Sequence, residues 1–130
     1  MILGIGMDLC KISRINTTLN RYGNRFKNRC FTDNEIKKCD KIKNNSACYA
    51  KRFASKEAVS KALGTGINQG VYWKDIEIIN MKSGKPAVVL KGNAKKFLIR
   101  MMPESKDYNI SITITDENGL AQAFVIIETI

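Results

Sequence analysis

The chain has 130 residues, with 22 Lys and Arg against 12 Asp and Glu, four cysteines and no histidine. This length suits one domain with a real hydrophobic core and is too short for two, and the net charge of +10 favours acidic partners: nucleic acid, anionic membrane, phosphorylated ligands or an acidic protein. The missing histidine excludes Ser-His-Asp and Cys-His catalysis and any H-E-x-x-H site, and no apolar run approaches the roughly 20 residues that span a bilayer.

The opening MILGIGMDL reads as a strand. Leu3, Ile5 and Met7 point to one face and Gly4, Gly6 and Asp8 to the other, because side chains alternate along a strand. Asp8 therefore ends a face kept clear of bulk. With no basic leader and no cleavage-type ending, the segment is a poor signal peptide. Ile12, Ile15 and Leu19 then follow at helical spacing, with Arg14, Arg21 and Arg25 on or beside the polar side, which predicts a basic helix with an apolar underside. In FTDNEIKKCDKI, Thr32 stands as an N-cap with Glu35 three residues on, a capping box for a short helix reaching about Ile42. A loop at Asn44 and Asn45 leads into a long helix from Ser46 to Leu63, closed by Gly64.

Beyond this helix the period changes. Residues 74–81, 86–90, 109–115 and 120–128 are rich in Ile and Val and read as strands. Turns at KSGKP and DENG pair them into two antiparallel hairpins, separated by a helix over about 93–102. The expected class is α+β: a single domain over residues 1–130, with a largely antiparallel sheet and a long central helix. Cys10, Cys30, Cys39 and Cys48 show no C-x-x-C spacing, so they are expected to be reduced, small core or surface residues of a cytosolic protein rather than zinc ligands.

The long helix carries charge where apolar residues belong. At 100° per residue, Ala50, Phe53, Ala54, Glu57, Ala58 and Lys61 share one side. The opposite side, Val59 and Leu63 beside Arg52 and Lys56, is mixed as well, which suits a helix held between two surfaces. One reading makes Glu57 and Lys61 an i,i+4 ion pair of about 0.3 to 0.5 kcal/mol, with Asp8 merely ending its strand. The other joins Asp8 and Glu57 as two carboxylates on rigid elements, an arrangement suited to magnesium, which prefers oxygen ligands, keeps several waters and binds substrate phosphates. Lys61, Lys56, Arg52 and the backbone of Gly64, Thr65 and Gly66 would then offer charge and N–H groups to a diphosphate. GIGMDL lacks the third glycine of a dinucleotide fingerprint, and no P-loop motif occurs. A basic nucleic-acid-binding domain is the rival, supported by KKCDKIK and opposed by aromatics that do not interleave with the basic residues.

GIGMDL, KRFASKEAVSKALGTG, GKP and AQAFVIIE, in this order and across essentially the whole chain, resemble the holo-acyl-carrier-protein synthases, small bacterial phosphopantetheinyl transferases. The resemblance implies that family's fold and its magnesium-dependent transfer of phosphopantetheine from coenzyme A to a serine of apo acyl carrier protein, releasing adenosine bisphosphate, in fatty acid biosynthesis. It places Asp8 and Glu57 at the metal, Glu57 as candidate base, and Lys61 on the diphosphate or the developing charge. Arg52, Lys56, Gly64, Thr65 and Gly66, and then the turn Gly84-Lys85-Pro86, match the coenzyme A contacts. Arg14, Arg21 and Arg25 match the surface that docks the acidic carrier. It further implies a cytoplasmic homotrimer with active sites between subunits, binding neither nucleic acid nor membrane. Some relatives carry histidine at the position of Asp116 and others aspartate, so Asp116 fits one branch of the family but cannot act as a cationic phosphate ligand.

Overall fold

The computed structural model describes residues 1–103 and 107–130. Its elements run β1 (Ile2–Lys11), α1 (Ile12–Tyr22), α2 (Asn24–Cys30), α3 (Asp33–Asp40), α4 (Ser46–Leu63), a 3-10 turn (Trp73–Asp75), β2 (Ile76–Asn80), β3 (Pro86–Leu90), α5 (Gly92–Met101), β4 (Tyr108–Glu117) and β5 (Leu120–Thr129). β1, β5 and β4 form an antiparallel sheet in that order, and β2 pairs with β3 in a separate hairpin.

α4 lies across one face of the larger sheet, and glycines make that approach possible. A Cβ added to Gly4 or Gly6 would sit 1.9 Å from the carbonyl oxygen of Ala62 or Ala58. Strand backbone and helix backbone are thus in direct contact, with Ala54, Ala58 and Ala62 filling the seam. Ala121, Ala123, Val125 and Ile127 of β5 complete the buried face. On the outer face, Ile5 is 61%, Met7 54%, Leu9 56% and Phe124 38% exposed, leaving apolar surface uncovered.

The long helix has the expected bounds, and Gly64 closes it in the left-handed conformation, φ 82°. The capping box also forms: the Glu35 amide donates to Thr32 Oγ1 at 3.3 Å and the Thr32 amide to Glu35 Oε1 at 2.9 Å. That helix stops at Asp40, short of Ile42. The basic helix is two helices, broken at Gly23, whose φ of 53° suits a residue without a Cβ. Residues 74 and 75 belong to the 3-10 turn and not to β2, because the Asp75 carboxylate accepts the Tyr72 amide and tightens the chain there.

The cysteine expectation is corrected in part. Cys39 and Cys48 form a disulfide, with Cα atoms 5.6 Å apart, joining the end of α3 to the first turn of α4. The loop between these helices reverses the chain and brings together two residues that no short motif links. Cys10 and Cys30 are free and buried.

Gly6→Ala is expected to lower stability by about 1–3 kcal/mol, because its methyl group must push strand and helix apart. Urea unfolding checks this: the midpoint should fall with little change in slope, and an unchanged midpoint would contradict the backbone contact.

Candidate active site

Strand and helix run antiparallel along the glycine seam, Gly4 against Ala62 and Gly6 against Ala58, so Asp8, next on that face, lies toward the middle of α4. There the Lys61 ammonium donates to Asp8 Oδ1 at 3.0 Å and to the Met7 carbonyl at 3.0 Å. The i,i+4 pair with Glu57 does not form; Lys61 crosses to the strand instead. Glu57 is half-buried, and its carboxyl is held above the usual glutamate value, first by burial and then by the charge of Asp8, with Lys61 and Arg14 opposing. Two carboxylates of like charge therefore face one region from two rigid elements. A divalent cation would relieve that repulsion, and this donor set fits magnesium. Among the described residues no group of three or more His, Cys, Asp or Glu converges, so the remaining ligands would be water and substrate oxygens.

A second feature lies at the start of α4. Arg52 is 94% buried from solvent (6% exposed) and lines a cavity of about 200 Å³ together with Lys51, Asn80, Gly84 and Pro86. Its guanidinium donates to the Cys48 carbonyl at 3.4 Å, to Cys48 Sγ at 3.2 Å and to Asn80 Oδ1 at 3.2 Å, while Nε has no partner. Burial pushes the Arg52 pKa below its usual value, yet no carboxylate pairs with it among the described residues. A buried cation with an unmet donor is costly unless an anion joins it. Asn80 also donates to the Gly84 carbonyl at 3.0 Å, tying the KSGKP turn to the cavity. Its sequence position gave no hint of this. Lys85 is exposed beside the cavity in the same turn, and Asp116 pairs with Lys51 at 3.5 Å.

Two expected phosphate contacts do not stand. Lys56 has no exposed surface, and its ammonium bonds Glu35 Oε1 at 2.6 Å, the Trp73 carbonyl at 3.0 Å and the Ile76 carbonyl at 2.7 Å, so no proton is left for a ligand. It shares α4 with Arg52, but four residues on it points into the protein. The backbone N–H groups of Gly64, Thr65 and Gly66 are also engaged: the first donates to the Lys61 carbonyl and the other two to that of Ser60, closing α4.

Arg14, Arg21 and Arg25 are all exposed on α1 and α2, and the Arg14 charge reaches Glu57. Arg29 extends this basic surface beside Arg25, along a cavity of about 550 Å³ that includes Tyr22, Phe26 and Trp73. Helical spacing from Arg25 could have revealed Arg29. No helix among the described residues is long and apolar enough to cross a membrane.

The profile of the 4′-phosphopantetheinyl transferase superfamily matches residues 4–113. Similar relatives include the holo-(acyl-carrier-protein) synthase of Sinorhizobium fredii, 58% identical over all of this chain and 94% of the relative. That of Methylorubrum populi is 54% identical over all of this chain and 96% of the relative. The solved holo-(acyl-carrier-protein) synthase of Neisseria meningitidis superposes with a TM-score of 0.86 at 33% identity, covering 98% of this chain and 99% of that one. The Helicobacter pylori enzyme in complex with coenzyme A gives 0.81 at 31% identity, covering 95% and 99%.

Asp8→Asn is expected to lower the Glu57 pKa toward the ordinary glutamate value, because it deletes the charge that opposes ionisation and frees Lys61. Carbon NMR titration of the Glu57 carboxyl reads this directly; an upward shift would show that the two groups do not interact as described.

Proposed function

The chain belongs to the 4′-phosphopantetheinyl transferase superfamily, and from that premise we propose how its residues transfer phosphopantetheine from coenzyme A to a serine of apo acyl carrier protein. The serine hydroxyl attacks the phosphorus that bears pantetheine, and the bond to the nucleotide phosphate breaks, releasing adenosine bisphosphate. Glu57 accepts the serine proton, directly or through a water, and its raised pKa suits that task. Magnesium held by Asp8 and Glu57 supplies charge neutralisation on the diphosphate when bound. Lys61, half-exposed and one turn from Glu57, is placed to leave Asp8 for the diphosphate or the charge that develops on it. Arg52 takes an anionic group of the nucleotide half in the cavity beside Asn80, Gly84 and Pro86, with Lys85 at its edge.

Arg14, Arg21 and Arg25 present the acidic carrier with positive charge on the side of the molecule that leads to Glu57. The uncovered apolar sheet face, Ile5, Met7, Leu9 and Phe124, supports association with further copies of this chain, and the family resemblance makes that assembly a homotrimer with sites near the subunit boundaries. We place the reaction in the cytoplasm, in fatty acid biosynthesis, with neither nucleic acid nor membrane as a partner. One observation carries the mechanism: Asp8 and Glu57, 49 positions apart in the sequence, lie close enough beside the β1–α4 seam that the charge of Asp8 raises the Glu57 pKa.

Asp8→Ala and Glu57→Ala are each expected to reduce transfer by about 10²-fold or more, while the fold survives because the Asp8–Lys61 pair is too exposed to contribute more than about 1 kcal/mol. Incubation with coenzyme A, magnesium and apo carrier protein, followed by mass spectrometry for the pantetheine increment, provides the measurement. Turnover retained in either variant would end the carboxylate proposal. Arg21→Glu should raise the KM for carrier protein more at low salt than at high salt, since screening weakens the charge it reverses. Equal effects across salt would return that helix to a plain solvated surface.

A further inference from the structure

Lys56 directly precedes Glu57, and nothing in the transfer uses its charge. It is bound to Glu35, and the pair is 0% and 1% exposed. Glu35 in turn accepts the Thr32 amide at 2.9 Å on Oε1 and the Ile78 amide at 3.0 Å on Oε2. Lys56 also lies over the Phe31 ring, 5.4 Å from its centroid. With the Trp73 and Ile76 carbonyls included, this one pair ties α4 to α3, to the 3-10 turn and to β2.

Stability alone does not account for such a pair, because two apolar side chains of similar volume often stabilise a core as well or better. Direction does. Thirteen of the eighteen α4 residues are buried, so apolar periodicity does not decide which side of the helix meets β1. On the β1 side the seam is glycine and alanine, which permits close approach, and the bonds that cross it come from Lys61, a half-exposed side chain that water can replace at Asp8 and the Met7 carbonyl. The Lys56 ammonium supplies three fixed bonds on the other side.

We propose that Glu35 and Lys56 are positioning residues: their pair sets the rotation of α4 about its axis and so presents Glu57 to the region shared with Asp8. This rests on the reading of Asp8 and Glu57 as the carboxylates of the transfer. A small turn of α4 would carry Glu57 along its circumference, and misplacement of a reacting group by about 1 Å costs roughly 10²-fold in rate.

The test compares Lys56→Met, Glu35→Gln and the double variant, by thermal unfolding and by steady-state transfer with coenzyme A and apo carrier protein, with Glu57→Ala in parallel. Lys56→Met should melt at a lower temperature, because it leaves the Glu35 carboxylate buried without its cation. The double variant removes both charges and should recover the melting temperature, while its kcat stays about 10²-fold down and its KM for coenzyme A stays within about twofold of the parent. Recovery of kcat together with melting temperature would overturn the proposal. So would a KM that rises while kcat is normal, the behaviour of a coenzyme A ligand. If the double variant does not fold, Glu35→Gln alone decides: it is isosteric and should lower kcat, and an unchanged kcat overturns the proposal. A fully active double variant beside an inactive Glu57→Ala overturns the clamp alone. An active Glu57→Ala beside an inactive double variant overturns the clamp's link to Glu57 and also ends the carboxylate reading.

Discussion

Everything at the candidate site follows from one contact, the backbone of β1 against the backbone of α4. Gly4 and Gly6 lie so close to the Ala58 and Ala62 carbonyls that no side chain fits between. Interiors are packed densely enough that a methyl group is felt, so the seam holds the spacing between strand and helix within narrow limits. Asp8 is the next residue on the glycine face, and Glu57 and Lys61 flank the seam on α4, each directly before one of its alanines. The carboxylate pair is therefore held by backbone packing, and neither member depends on a flexible loop for its position.

Three cations on α4 illustrate how position along one helix decides the fate of a charge. Lys61 is half-exposed and pairs across to Asp8, an interaction that water and salt weaken easily. Lys56, five residues earlier, has no solvent and every proton engaged. Arg52, four residues earlier still, is nearly as buried but keeps an unmet donor over a cavity. The first can move, the second holds, and the third calls for an anion. Local cost at Arg52 is what a ligand site requires, because a fully satisfied guanidinium would have little to gain from a phosphate.

The disulfide between Cys39 and Cys48 belongs to the same region, since Arg52 donates to both the carbonyl and the sulfur of Cys48. The first turn of α4 is thus held from α3, and the cavity beneath Arg52 is framed by the next turn of α4, by β2, by Gly84 and Pro86 at the β2–β3 turn, and by Ile114 of β4. Asn80 links the parts, accepting from Arg52 and donating to Gly84.

Local pattern was enough for the order of elements, the limits of α4, the Thr32–Glu35 capping box, the alternation that keeps Gly4, Gly6 and Asp8 on one face, and the family to which these motifs belong. Each depends on neighbours within a few residues, where spacing and geometry are the same thing. Tertiary structure alone decided which long-range partner each lysine took: Lys61 chose Asp8 over Glu57, and Lys56 chose Glu35 over a phosphate. Periodicity along α4 says which residues share a side, but with most of its circumference buried it does not say what that side meets, and a charge is defined by what it meets.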